Sequence, residues 1–295
     1  MGEMIRSSQH RPMPNYLCCT IIVLAACVLL PCVGYAGNRT APGMTGNIPD
    51  PGITERVMNV PLRAGGSVRA IFSSPERPLA TIIMFPGGTG DIGLGQDGRI
   101  RHGDNFVVRT RGAWNRQGFA VLIPDTVGRL NLRGQRSAAH YAHLVEDIIA
   151  FVHRQDSGPV FLLGTSQGAI AAVNGAAHAA SGDIAGVVLT ESVSVMGGSR
   201  ETVFSAHPEK VQAPVLVVAN HDDRCNVAPP QDAKRIGAAM TGSREVTVLM
   251  VAGGTTRSEK NCGSLTPHGY FGIEAEVITR ISAWLDATIR AASLK

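Results

Sequence analysis

Three short stretches carry residue types that together can do nucleophilic chemistry. Gly164-Thr165-Ser166-Gln167-Gly168 fits the pattern G-x-S-x-G, Asn220-His221-Asp222-Asp223-Arg224-Cys225 offers two carboxylates, and Thr266-Pro267-His268-Gly269-Tyr270 offers an imidazole. A serine hydroxyl attacks a carbonyl carbon only once a base removes its proton. A buried carboxylate beside that base holds the required tautomer and balances the charge of the imidazolium. In a chain with 34 glycines the five-residue pattern alone says little. Its setting says more: the apolar run 160–163 leads straight into it and an Ala-rich run over 167–180 leaves it. A serine on such a strand–turn–helix corner is raised to the carboxyl edge of a sheet, facing the positive end of the helix that follows.

Chain order restricts the partners. In this arrangement the acid and then the histidine follow the serine. Of nine histidines, only His268 comes after the acids at 222 and 223. Asp223 lies at the better offset from the end of the apolar run 214–219. Asp222 is the alternative, and whichever of the two is not the acid reads as a turn or capping residue. Acyl transfer also needs donors where the carbonyl oxygen becomes negative. The backbone N–H of Gln167 is one candidate. The other comes from Phe85-Pro86-Gly87-Gly88-Thr89-Gly90, with Gly88 first and Thr89 second, because glycines let the backbone approach a substrate closely.

These residues require a scaffold of alternating elements. Strands are expected at 55–61 and 68–73, antiparallel across a Gly65-Gly66 turn, and then at 80–85, 119–123, 160–163, 184–189, 214–219 and 245–251. Helices are expected at 105–117, 137–155, 167–180, 231–240 and 272–290. Continuous apolar strands alternating with helices specify an α/β fold: a doubly wound, mostly parallel sheet with helices on both faces. The stretch between 189 and 214 is too short for a large cap domain.

Taken together these motifs resemble the α/β-hydrolase superfamily over residues 55–290, and the chain is most similar to small, lid-poor serine hydrolases of the dienelactone-hydrolase-like kind. The resemblance implies Ser166 as nucleophile, Asp223 as acid, His268 as base, and Gly88 with Gln167 as the oxyanion donors. Two departures stand out. Serine replaces the cysteine nucleophile of true dienelactone hydrolases, and Pro86 stands where many esterases carry a histidine. The implied activity is hydrolysis of a carboxylic ester, or less readily an amide, through an acyl-enzyme on Ser166. Acyl transfer on the same residues and a non-catalytic binding protein that kept the fold are the alternatives.

Composition fits that class. With 44% apolar and 17% charged residues the chain buries a real core, and a net charge of +4 does not point to nucleic acid. Arg6 and Arg11 precede an apolar run over 16–33 that ends in Gly34-Tyr35-Ala36, which reads as a signal peptide over 1–36 cleaved after Ala36. A membrane anchor, or a lipoprotein modified at Cys27, is the alternative. Residues 37–54 read as a flexible leader and 55–295 as the catalytic domain. The protein is thus expected in the periplasm or secreted, with no stable membrane partner once the signal is gone. Four of six cysteines fall in the signal; Cys225 and Cys262 remain, and in an oxidising compartment they are expected to form a disulfide tying the Asp loop to the His loop. No metal-ligand spacing or dinucleotide fingerprint is visible, so no cofactor or metal is expected, and the partner is a small-molecule ester. Arg99, Arg101, Arg109, Arg111, Arg129, Arg133 and Arg136 read as a solvated face rather than as a site for an acidic substrate.

Overall fold

The computed structural model describes residues 52–294. The expected signal segment 1–36 and nearly all of the leader lie outside the described residues. Eight strands run β1 (Ile53–Pro61), β2 (Ser67–Pro75), β3 (Ala80–Phe85), β4 (Phe119–Pro124), β5 (Val160–Thr165), β6 (Gly186–Thr190), β7 (Val215–Asn220) and β8 (Val246–Val251). They form one sheet in the order β1-β2-β4-β3-β5-β6-β7-β8. β1 and β2 pair antiparallel around the Gly65-Gly66 turn, and β2 meets β4 antiparallel; every other neighbour is parallel. The helices are α1 (Phe106–Arg109), α2 (Arg111–Arg116), α3 (Ala139–Gln155), α4 (Gln167–His178), α5 (Ala233–Ala239) and α6 (Glu274–Ser293).

The central strands are buried along their whole length because both faces are covered. Successive side chains point to opposite faces. Ile83, Phe85, Leu122, Leu162, Leu189 and Val217 therefore pack under α3, α4 and α5. Ile82, Met84, Val121, Leu163, Val188 and Leu216 pack under α1, α2 and α6.

Several boundaries depart from expectation, two of them for an identifiable local reason. The helix expected over 105–117 is two short helices broken at Thr110, whose hydroxyl donates to the Phe106 carbonyl (2.6 Å) and accepts from Trp114 Nε1 (3.2 Å). A threonine that bonds back to the preceding turn bends a helix. α3 starts at Ala139 rather than at Ser137, because the Ser137 N–H and hydroxyl both donate to Glu201 Oε2 (3.0 and 3.1 Å) and hold that residue outside the helix. α6 runs on to Ser293, with Glu274 and Glu276 in its first turn where the helix dipole favours acids.

The tightest constraint lies where β5 turns into α4. A Cβ on Gly168 would overlap the carbonyl of Phe85 at the end of β3, and one on Gly164 would overlap the carbonyl of Gly168. Neither obstacle is a flexible side-chain tip. Gly168→Ala is therefore expected to lower the urea midpoint by the equivalent of about 1–3 kcal/mol or more. Gly103→Ala, at a position with open space, should stay within about 1 kcal/mol of the parent. Equal midpoints for the two variants would remove the packing argument.

Candidate active site

The β5–α4 corner puts Ser166 at φ 55°, ψ −121°, a conformation that few non-glycine residues adopt. Such a residue costs on the order of 1–3 kcal/mol unless its surroundings dictate it. Here they do: the Ser166 N–H donates to the Thr190 carbonyl of β6 (2.9 Å), and the next residue opens α4. The corner leaves the serine half-buried with its hydroxyl 2.9 Å from His268 Nε2.

His268 sits in a 3-10 turn, Pro267–Gly269, and its Nδ1 lies 2.7 Å from Asp223 Oδ2. A carboxylate can only accept there, so Nδ1 carries the hydrogen and Nε2 presents its lone pair to the serine. His268 and Asp223 are both buried. Asp223 Oδ1 accepts a second hydrogen bond, from the Cys225 N–H (2.7 Å). Asp222 is exposed and faces away, accepting from the Gly253 N–H (2.6 Å) as a turn residue.

The imidazole is held by further residues: Asn220 and Thr266 are not among the expected site residues, Arg109, expected on a solvated face, is drawn into the site instead, and the expected disulfide is present. Asn220, fully buried at the end of β7, donates to the carbonyls of Gly253 and Pro267 (3.0 and 3.1 Å), fastening the His loop to the strand that precedes the acid. Arg109 reaches the Gly269 carbonyl (2.5 Å) while pairing with Glu274 (3.0 Å). Thr266 Oγ1 accepts from the His268 N–H (3.1 Å). Cys225 and Cys262 form a disulfide across a Cα–Cα distance of 4.6 Å, linking the Asp loop to the His loop.

On the other side of Ser166, Gly87, Gly88 and His268 line a small cavity of about 100 Å³ together with the serine and Cys262. Gly87 packs so close that a Cβ would come 3.1 Å from the Ser166 Cβ. Gly88, at φ 62°, faces the same cavity. Thr89 turns its carbonyl to the Leu132 N–H (2.9 Å) and does not line the cavity. The Gln167 side chain is drawn to Ser199 Oγ (3.1 Å), and its backbone N–H opens α4 beside the serine.

The arginines divide. Arg99, Arg111 and Arg129 pair with Asp97, Glu55 and Asp91 at the surface. Arg136 does not belong to a solvated face: it is 1% exposed, lies beneath the glycine-rich loop after β3 and donates to the Pro86 carbonyl (3.3 Å). Burial pulls its guanidinium below the ordinary arginine range.

One further residue escaped the motif reading. Glu191 follows β6 at the carboxyl edge of the sheet, 1% exposed and at φ 43°. Its Oε1 accepts from the Asn220 N–H (2.8 Å), while Oε2 is buried without a donor. The carboxyl group lies against the Asp223 carboxyl group and the Tyr270 hydroxyl, and burial followed by the Asp223 charge pushes it well above the usual carboxylate range. Donor atoms of Glu191, Asp223 and His268 all fall within 4.8 Å of one another. Both imidazole nitrogens are already engaged, by Asp223 and Ser166, so His268 is not a free ligand for a metal ion. A carboxylate directly after a buried strand at the carboxyl edge was the signal available for it.

Residues 97–197 match a family model described as "Serine aminopeptidase, S33". No curated protein matches the chain. Solved structures with similar folds include a cold-adapted esterase from an Arctic intertidal metagenomic library (16% identity, 79% of this chain and 95% of that one, TM-score 0.54). A dienelactone hydrolase from Anabaena variabilis matches at 13% identity over 80% and 98% of the two chains, TM-score 0.57. Brefeldin A esterase, a bacterial homologue of human hormone-sensitive lipase, matches at 14% identity over 85% and 81%, TM-score 0.56. An eight-stranded sheet in this order, a serine on the β5 corner and these structural likenesses lead to one conclusion: the chain has the α/β-hydrolase fold.

Proposed function

We propose that this protein is a serine hydrolase that cleaves carboxylic esters through an acyl-enzyme on Ser166. The observation that carries the reading is the unbroken chain from Ser166 Oγ to His268 Nε2 (2.9 Å) and from His268 Nδ1 to Asp223 Oδ2 (2.7 Å), on a corner that leaves the serine half-buried. In the first half-reaction His268 takes the Ser166 proton as Oγ attacks the ester carbonyl, and the negative oxygen is received by the N–H groups of Gly88 and Gln167. His268 then gives the proton to the leaving alkoxide. A water repeats the sequence and frees the acid.

The esterase and dienelactone hydrolase neighbours favour an ester. The matched family model is described by an aminopeptidase activity, for which a carboxylate near the serine would receive the free α-amino group of a peptide. None of the residues lining the cavity is acidic, which favours the ester. Ser166 is half-buried rather than sealed, and the β6–β7 connection contains only two short 3-10 turns, Val203–Ala206 and Pro208–Lys210. Water therefore has access to the acyl-enzyme, which favours hydrolysis over acyl transfer. We also read the protein as exported, on the pattern of residues 1–36 together with the Cys225–Cys262 bond. No helix among the described residues is long and apolar enough to cross a membrane.

Ser166→Ala is expected to lose on the order of 10⁴-fold or more in kcat on a p-nitrophenyl ester and all labelling by a fluorophosphonate probe, with an unchanged circular dichroism spectrum. Labelling that persists in this variant sinks the assignment. Asp223→Asn should cost far more than Asp222→Asn, because only the first holds the imidazole tautomer. The reverse ranking exchanges the two roles.

The disulfide closes a loop with a sequence separation of 37. The double serine variant is expected to lose up to about 4 kcal/mol by the chain-entropy model. Its activity should fall more steeply with temperature, since the Asp and His loops then part more readily. Thiol titration before and after reduction reads the bond directly, and two free thiols in exported protein would overturn it.

A further inference from the structure

Glu191 takes no part in the proton transfers, yet it is buried against the residue that supports them. Three observations bear on its state. Its carboxyl group and that of Asp223 come within 4.8 Å of each other, and both residues are buried. Two carboxyl groups in such a position do not both ionise, so one keeps a proton. Asp223 already accepts two hydrogen bonds, from the Cys225 N–H and the His268 Nδ1–H, both at 2.7 Å, which favour it as the acceptor of the pair. Glu191 accepts the Asn220 N–H at Oε1, and no hydrogen-bond partner reaches its Oε2, although the Tyr270 hydroxyl lies against the carboxyl group. The proton therefore resides on Glu191, where it turns an unpartnered buried oxygen into a donor facing Asp223.

We propose that Glu191 is a positioning residue that stays a neutral carboxylic acid and donates a hydrogen bond to Asp223, fixing the carboxylate that orients His268. The inference rests on the catalytic reading of Ser166, His268 and Asp223. The groups that face Glu191 are Asp223 from the β7 loop, the Tyr270 hydroxyl from the His loop and the Asn220 N–H from β7, with His268 behind Asp223. The Tyr270 hydroxyl donates its hydrogen to the Val218 carbonyl (3.1 Å), so it is not the donor that Glu191 Oε2 lacks, and the Asp223 carboxylate is the stronger of the two acceptors facing the Glu191 proton.

Two linked consequences follow. Folding must bring a proton to Glu191 at any pH above the ordinary glutamate range near about 4.3. A group held protonated in the folded state contributes stability that is complete below that range and is lost as the pH rises. Glutamine has the same shape and can donate to Asp223, but it takes up no proton. Leucine has the volume and cannot donate, which leaves the Asn220 N–H and one side of Asp223 unpartnered.

The experiment compares the full chain with Glu191→Gln and Glu191→Leu in two measurements. Between about pH 5 and 8, the folding constant of the parent should fall relative to that of Glu191→Gln by up to about tenfold per pH unit. This readout needs no enzyme activity, so it tests Glu191 even if the catalytic reading fails. In ester hydrolysis Glu191→Gln should keep kcat/KM within about threefold, with the acid limb of its pH profile unmoved. Glu191→Leu should lose about tenfold or more, in kcat rather than in KM. A stability gap that is flat with pH overturns the proposal, as does a Glu191→Gln acid limb displaced to lower pH, because either result means that the parent carries a charge at this position. Should the leucine variant fail to fold, the glutamine variant decides the question through both readouts.

Discussion

α4 crosses the end of β3 so closely that no side chain fits at Gly168, and the rest of the site depends on that contact. It sets the backbone of Ser166, because a chain leaving β5 can enter a helix pressed onto the neighbouring strand only through a sharp corner with positive φ. The composition of α4 follows from the same contact. Gly168 through Ala176 are all buried, and Gly175 lies where a Cβ would strike Val145 of α3. Alanine and glycine are used here for closeness rather than for helix propensity, which glycine lowers by about 1 kcal/mol relative to alanine. Burial of the helix on the sheet, on α3 and on the 3-10 turn Val203–Ala206 offsets that loss and the strain at Ser166.

A rigid serine is useful only if the imidazole is equally fixed, and His268 lies on a loop. Its position is set from several directions at once: Asn220 from β7, Arg109 from α1, the Thr266 hydroxyl from within the turn, and the disulfide from the Asp loop. Each neutral hydrogen bond contributes about 1 kcal/mol net, so no single anchor suffices. Arg109 differs in kind, since it ties the carbonyl beside His268 to Glu274 at the start of α6. His268 is therefore referred to two elements of the scaffold, β7 and α6, on either side of the loop that carries it.

What was legible in the sequence follows from range. The strands β3 to β7 are buried on both faces and read as apolar runs; Ser166 and Asp223 lie just past the ends of two of them, and His268, in a loop well beyond β8, follows in the expected chain order. The Thr110 break and the delayed start of α3 were not legible, because each depends on a hydroxyl finding an acceptor: for Ser137 that acceptor is Glu201, in a loop beyond two further strands. Arg136 was misassigned to a solvated face for the same kind of reason. Its neighbours in the chain are polar, and only the fold brings the Pro86 carbonyl over it. Glu191 carries no motif; its meaning comes from Asp223 and Tyr270, residues of two other loops.

The charge balance of the site connects these parts. With Glu191 neutral, the buried cluster holds one negative charge at rest, on Asp223, and none in net when His268 takes the serine proton. Were Glu191 ionised, the resting cluster would hold two like charges within 4.8 Å, away from water, and the imidazolium would be stabilised by more charge than the reaction needs. A base held too strongly in its protonated form returns its proton to the leaving group less readily. A carboxyl group beside Asp223 thus serves the chemistry best when it is neutral. Burial at the β6 edge supplies that condition, and the Asn220 N–H keeps the group facing inward without requiring it to ionise.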